Sequence, residues 1–415
     1  MKKSKYPTTP GKEGFYRWVV VGAMFLMVFT GLGFCSSNKS LFLSAITQAL
    51  DMKRSLFSLN DSCRYITTAL INLFFGSLIA KFGPRKLIAA GFLALSISSL
   101  LYAMASHIAL FCLGGAFLGM GLSWTSTTMV GYVINRRCKE HKGTVMGFVL
   151  AANGLGGALA AQILTPIIYE AGNPFGFRKA YLVVAAILLS VGALITLVFR
   201  DTPEEPKQAA QKATTQPLPG VPFTQALRKP YFYTAALCVF LAGASLQSVT
   251  GIAAAHMSDR GLSAAYIGTV SSIGSLALAG AKFATGVIHD RIGLGKTMLL
   301  CQAAAFGAFV TLLMIDPGHS GLAMVYAILI SCALPLETIM LPLIASDLFG
   351  QHSYAKIMGT FVSVSTAGYA LGAPIANLAF DLTGGYNPVL IAVAVIMLLS
   401  APLFQWTIAA ALRRE

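Results

Sequence analysis

Two ionisable residues stand where a long apolar chain tolerates them least. Lys282 lies eight residues before Asp290 and Glu337 ten before Asp347, each inside an apolar run. At ~1.5 Å per helical residue these are depths of about 12 and 15 Å. A charge at the centre of a bilayer costs about 2.5–3.5 kcal/mol, so residues like these are site candidates by default. Lys282 offers a point charge with three donors for a substrate carboxylate. Glu337 is open to three chemistries. The opposed demands of burial and a nearby lysine suit a reversible proton carrier; a carboxylate can also recognise an ammonium group, or merely hold two helices by a hydrogen bond. A Lys282–Glu337 pair that only satisfies both charges is the plain alternative.

Other polar residues are weaker signals. Lys39 follows Arg17 by 22 residues, about 33 Å, which by position alone is a snorkelling lysine near the outer edge of the hydrocarbon. Asp61 and Arg64 share a helix face at i, i+3 and read as an intrahelical pair; Asp61 is also a candidate partner for Lys39 in the empty protein and a second proton-coupling candidate. Asn153 and Tyr369 are candidate cavity-lining residues, as are Asn72, Trp124, Gln162, Gln247 and His256, each more often a packing residue. No HExxH, CxxC, Walker loop or GxSxG is present, so nothing points to an enzyme, a cofactor or a metal.

The elements that position these residues follow from composition. Of 415 residues, 56% are hydrophobic and 11% charged, against about 25% charged in soluble domains. With a mean hydropathy of +0.72, the chain is not a soluble globule or a disordered protein. The net charge of +15 is spread in short clusters between apolar runs and does not describe a nucleic-acid binder. Apolar runs of about 20 residues, the length that spans a bilayer, fall near 17–42, 57–80, 86–105, 109–134, 144–169, 180–199, 231–256, 264–288, 297–315, 320–346, 356–381 and 387–410. The expected fold is therefore an all-α integral membrane protein with twelve transmembrane helices. Residues 1–16 form an N-terminal segment, 17–199 a first six-helix bundle, 200–229 a Pro-rich linker, 230–410 a second bundle and 411–415 a tail. The first run is too long for a secretory signal. With the N-terminus inside, the Lys and Arg outside inner segments are Lys39, Lys53, Arg54, Arg64, Arg178, Lys179, Arg260 and Lys282, out of 30 in all. Both termini are thus expected in the cytoplasm. Short loops favour a bacterial inner membrane, with the lipid bilayer as partner and a monomer as functional unit.

The halves repeat. Gly76-Ser77-Leu78-Ile79-Ala80-Lys81-Phe82-Gly83-Pro84-Arg85-Lys86 returns 210 residues later as Gly286-Val287-Ile288-His289-Asp290-Arg291-Ile292-Gly293-Leu294-Gly295-Lys296, and Met146-Gly147 with Gly156 returns after 212 as Met358-Gly359 with Gly368. A repeat of this length marks two duplicated bundles. In the second loop Asp290 can pair with an arginine or accept bonds from a helix N-terminus.

This loop resembles the Gly-x-x-x-Asp-Arg/Lys-x-Gly-Arg/Lys signature of the major facilitator superfamily, and the resemblance covers the whole chain. It implies two bundles rocking around a central site. It also implies an inter-helix latch falling on Lys81, Arg85, Asp290 and Arg291 between Gly76, Gly83, Gly286 and Gly293. Ala80 replaces the acidic residue of the first copy, so a latch there must be weaker or built otherwise. Asn38-Lys39-Ser40, Lys81-Phe82-Gly83-Pro84-Arg85, Asn135-Arg136-Arg137 and Ser346-Asp347-Leu348-Phe349-Gly350 resemble the monocarboxylate transporter and oxalate–formate antiporter branch. That branch implies a small organic anion as substrate, a proton or a counter-anion as second partner, an anion-capturing Lys39, and an anion-binding position at Lys282 that usually holds arginine. Symport with a proton, exchange of carboxylates and carriage of a zwitterion recognised by Glu337 all fit these residues.

Overall fold

The computed structural model describes residues 10–37, 39–52, 57, 59–138, 140–170, 173–199 and 220–412; the two ends and most of the linker, 200–219, lie outside the described residues. The chain is almost wholly helical. Crossing 1 is α1 (Pro10–Cys35), followed by a short helix α2 (Lys39–Ala49). Crossing 2 is α3 (Leu59–Leu73) together with the first turns of α4 (Phe75–Met104), and crossing 3 is the rest of α4. Crossing 4 is broken into α5 (Ile108–Thr125) and α6 (Thr127–Arg137). Crossings 5 and 6 are α7 (Lys142–Ile168) and α8 (Gly176–Val198).

The second half opens with α9 (Phe223–Ala226), a short piece at the end of the linker, and crossing 7, α10 (Pro230–Asp259). A single helix, α11 (Ala264–Leu313), supplies crossings 8 and 9. Crossing 10 comes in three pieces, α12 (Leu322–Ala333), α13 (Pro335–Thr338) and α14 (Met340–Phe349). Crossings 11 and 12 are α15 (Tyr354–Thr383) and α16 (Asn387–Leu412).

Among the described residues eight helical segments are long and apolar enough to span a membrane, and the bent α12–α14 segment makes a ninth. Two of these nine turn at a glycine and so make two crossings each, and α15, the remaining long helix, completes the twelve. The 50 residues of α11 would run about 75 Å as a straight rod, more than twice the ~30 Å of hydrocarbon. The chain instead turns at Gly293, with φ 79° and ψ 174°. Gly83 in α4 adopts the same conformation, φ 76° and ψ 163°, open at little strain only to glycine. The duplicated loop is thus duplicated in backbone geometry as well as in sequence.

One expected boundary moves. The first span was expected to reach residue 42, which would put Lys39 late in crossing 1. Instead α1 stops at Cys35, the amides of Ser36 and Ser37 both bond the Leu32 carbonyl, and Lys39 opens the separate helix α2.

The halves meet on the face that carries Gly83 and Gly293, here the motif face. Crossing 5 packs on crossing 8, and crossing 2 on crossing 11, through positions that leave no room for a side chain. Gly147 lies against the backbone carbonyl of Lys282, and Gly359 against that of Asn72. Since 72 and 282 differ by 210 and 147 and 359 by 212, these are one crossing built twice. Gly76 against Lys356 and Gly286 against Gly143 repeat the pattern nearer the loops. Further bonds close this face: Ser363 Oγ donates to the Ala69 carbonyl at 2.7 Å, and the Asn135 and Gln351 amides bond each other at 3.0 and 2.7 Å.

Candidate functional site

Beyond the crossing points the walls part around a cavity of ≈ 420 Å³. The cross-half bonds just described lie on its motif side, so the cavity opens toward the opposite, far face. Both halves bring a broken helix to it. In crossing 4 the helix is interrupted at Ser126, φ −125° and ψ −149°, and Ser126, Thr127 and Thr128 line the cavity. In crossing 10 the break falls at Pro335–Ile339 with a bend of 42°, and Glu337 and Thr338 line it. Proline removes a backbone donor and forces such a break. Discontinuous helices are where transporters of this plan hold their ligands.

Lys282, Glu337, Asn153 and Tyr369 are all brought to this one cavity. Lys282 is 3% exposed and has neither an ion pair nor a hydrogen bond among the described residues; it and Glu337 share the cavity without pairing. The Glu337 Oε1 and Thr338 Oγ1 atoms are buried without a hydrogen-bond partner, and the Tyr369 phenol stands beside the Glu337 carboxyl. Buried polar atoms left open in this way normally await a proton, a water or a ligand. Asn153 accepts a bond from Ser37 Oγ at 2.8 Å. The Tyr369 ring lies 6.2 Å from that of Tyr65 across the halves.

Arg64 is the residue the sequence reading underrated. It was expected near the outside as half of an ion pair, and the pair exists: its Nε is 3.6 Å from the Asp61 carboxylate. Yet Arg64 also lines the central cavity, donates to Ser36 Oγ at 3.3 Å and stacks over the Tyr65 ring at 4.3 Å. Asp61 faces a different pocket. The signal for Arg64 was its own charge inside an apolar run, which the i, i+3 pairing seemed to absorb. The side chain of Lys39 lies outside the described residues. Of the remaining polar residues, Asn72 and Gln247 line the cavity, Gln162 is exposed and the buried His256 bonds the Leu312 carbonyl.

At the motif face the two loops differ. Asp290 accepts from the Gly143 and Thr144 amides and from Thr144 Oγ at 2.7–2.9 Å, a carboxylate capping the start of crossing 5 from the other half, where helix dipole and free amides favour an anion. His289 joins Asp347 at 2.9 Å and Asp290 at 3.4 Å. Burial opposes its protonation, but the bonds and charges of these two carboxylates outweigh burial and hold its pKa above the ordinary value. Burial likewise opposes ionisation of Asp290, and the bonds from Thr144, Gly143 and His289 overcome it, leaving its pKa below the ordinary value. In the first loop Arg85 donates to the Thr196 carbonyl within its own half at 2.8 Å, Lys81 lies over the Phe82 ring and Arg291 of the second loop is exposed.

The comparisons agree with this architecture. A family model described as Major Facilitator Superfamily matches residues 19–373 and 236–414. The chain is 29% identical over 175 residues to the uncharacterized MFS-type transporter YcxA of Bacillus subtilis, covering 42% of each chain. It is 26% identical over 324 residues to monocarboxylate transporter 13 of Bos taurus, covering 75% of this chain and 70% of that one. Among solved structures it superposes on the Escherichia coli fucose:proton symporter FucP with a TM-score of 0.71 at 15% identity, over 93% of this chain and 98% of that one.

Proposed function

Because the chain belongs to the major facilitator superfamily, a family of membrane transporters rather than enzymes, we infer that it is a secondary carrier moving a small, monocarboxylate-like organic anion by alternating access. We place it in a bacterial inner membrane with both termini cytoplasmic, which makes the cavity outward-open. The observation that carries the reading is Lys282, a buried cation without an ion pair among the described residues, facing a cavity that Arg64 of the other half also lines. A carboxylate entering from the far face supplies the missing charge to Lys282 while its second oxygen reaches toward the other half.

Charge balance favours proton symport. Arg64 and Asp61 cancel, as do Lys282 and an ionised Glu337. A bound monoanion adds one negative charge, and a proton on Glu337 removes it, so the loaded cavity reorients at the same net charge as the empty one. Exchange of two carboxylates uses the same site without Glu337 titrating. The open Glu337 Oε1 favours a further reading, a zwitterion spanning Lys282 and Glu337.

The test is thermal-shift screening of the detergent-purified chain against short mono-, di- and amino-carboxylates, with Lys282→Gln alongside. Stabilisation grows as RT ln(1 + [L]/Kd), so millimolar binding registers at tens of millimolar ligand. A carboxylate that stabilises the wild type and not the variant is expected. Stabilisation by amines or neutral compounds alone overturns the anion reading and leaves the fold untouched. Amino-carboxylates outperforming their deaminated analogues select the zwitterion.

A further inference from the structure

A second cavity of ≈ 240 Å³ lies wholly inside the first half, toward the far face. Its walls come from the end of crossing 1, the start of crossings 2 and 6, the end of crossing 3, Leu118 of crossing 4 and the short helix α2. Five aromatic rings line it, Phe34, Phe42, Phe57, Tyr102 and Tyr181, around one carboxylate, Asp61. The rings brace one another: Phe42 stacks on Tyr181 at 4.1 Å and Tyr102 lies 5.1 Å from Tyr181. Asp61 is 41% exposed, so its carboxylate presents accessible surface there. Among the described residues no lysine or arginine lines this pocket, whereas the central cavity has Lys282 and Arg64. Among the described residues the side pocket thus presents one carboxylate and the central cavity two cations with Glu337, and the Asp61–Arg64 contact runs between the two compartments.

We propose that the side pocket binds a small organic ammonium with an apolar body. The rings attract the cation through their faces, a charge-assisted bond joins it to Asp61, and the apolar walls take the rest of the molecule. Asp61 is shared. An ammonium drawing on it competes with Arg64, and a released Arg64 is free to turn fully to an anion in the central cavity. The coupling of the two compartments rests on the anion reading above; the ammonium site itself does not.

The experiment uses full-length detergent-purified protein with phenethylammonium, the neutral 2-phenylethanol of similar size as control, and thermal shift as readout. Phenethylammonium is expected to raise the melting temperature at concentrations where 2-phenylethanol does not. Asp61→Asn weakens its binding tenfold or more, and Arg64→Gln, which removes the competitor, strengthens it several-fold. Phe42→Leu removes one ring at similar volume and weakens binding several-fold, a second route should Asp61→Asn fail to fold. Lys282→Gln leaves it unchanged. Equal stabilisation by amine and alcohol overturns the site, as does an effect lost in Glu337→Gln and retained in Asp61→Asn, which moves the ammonium to the central cavity. Carboxylate binding without any ammonium binding sinks this site alone and spares the carrier.

Discussion

Positions 72 and 282 are one place in two copies of a bundle, packed against Gly359 and Gly147 in the same way, and they carry opposite chemistry. Asn72 is buried and satisfied: it donates to Ser123 Oγ at 3.0 Å and to the Thr68 carbonyl, and accepts from Thr128 at 3.0 Å. Lys282 is equally buried and has no ion pair or hydrogen bond among the described residues. The broken helices differ likewise, with hydroxyls at Ser126–Thr128 in one half and a carboxyl at Glu337 in the other. Duplication supplies the scaffold twice; the chemistry of the central site is concentrated in the second half, with Arg64 as the first half's charged contribution. A buried cation without a paired charge is costly to the empty protein, which is why the proposed carrier mechanism is tested first at this position.

The largest effect expected from this contrast is at Lys282. Lys282→Gln makes the second half resemble the first, and removing a buried charge from its partner costs about 2–5 kcal/mol. Uptake of the substrate into proteoliposomes should fall by at least about 30-fold while the melting temperature of the empty protein holds or rises. A variant that transports normally breaks the comparison outright.

Glu337→Gln comes next and separates driving force from binding. Accumulation driven by a pH gradient should vanish, while exchange of labelled for unlabelled substrate persists within a few-fold. Loss of both assigns Glu337 to the substrate instead, and unchanged gradient-driven uptake transfers the coupling elsewhere.

How much of this was legible in the residues differs by feature. The crossings were, because span length is fixed by bilayer thickness and the breaks follow proline and the loop glycines. That Lys282 and Glu337 come to one cavity was suggested by their similar spacing from Asp290 and Asp347. The end of crossing 1 was set at 42 instead of Cys35 because the turn at Ser36–Ser37 is followed at once by another apolar helix. Arg64 was underrated because a long side chain reaches far from its own depth. The side pocket depends on how α2 folds back over crossing 6, through Phe42 on Tyr181, and no local periodicity carries that contact. The equivalence of Asn72 and Lys282 was present in the 210-residue offset but acquires meaning only when both glycines are seen against the two carbonyls.

The loops sharpen the comparison at smaller energies. Asp290→Asn loses a charged cap of three bonds, about 1–2 kcal/mol, and should shift the population toward the opposite conformation roughly tenfold. This is measurable by labelling a single cysteine in the cavity from either side. The same closure depends on pH through groups facing it from both halves: Asp290, His289 and Asp347, with Lys142 bonded to Asn135 nearby. Asp290 has a lowered pKa, so its contribution is complete above the ordinary carboxylate range and lost as pH falls through its depressed value. His289 has a raised pKa, so its contribution is complete below its ordinary 6.5 and lost as pH rises through the raised value. The motif face is therefore held tightest between the depressed Asp290 value and the raised His289 value, and loosens as pH rises through the latter. His289→Asn should abolish the alkaline limb alone; an alkaline limb that survives this substitution assigns it to another group.

The smallest effect tests the loop that lacks its acid. Ala80 is the counterpart of Asp290, 210 residues earlier, and Gly76 beside it packs on the start of crossing 11 at Lys356 as Gly286 packs on the start of crossing 5 at Gly143. Ala80→Asp therefore sets a carboxylate against the first turn of α15, near the amides of Ala355 and Lys356 and the Lys356 ammonium. A carboxylate at a helix N-terminus contributes about 0.3–1 kcal/mol, so the closed motif face should gain roughly two- to fivefold in population. The gain should be additive with Asp290→Asn, since the two caps sit on different helix pairs and share no partner. A partial return toward the wild-type population by Ala80→Asp in the Asp290→Asn background shows that either copy can latch the halves. An unchanged population means the first loop has lost the geometry along with the residue, and that the two copies have diverged in shape and not only in charge.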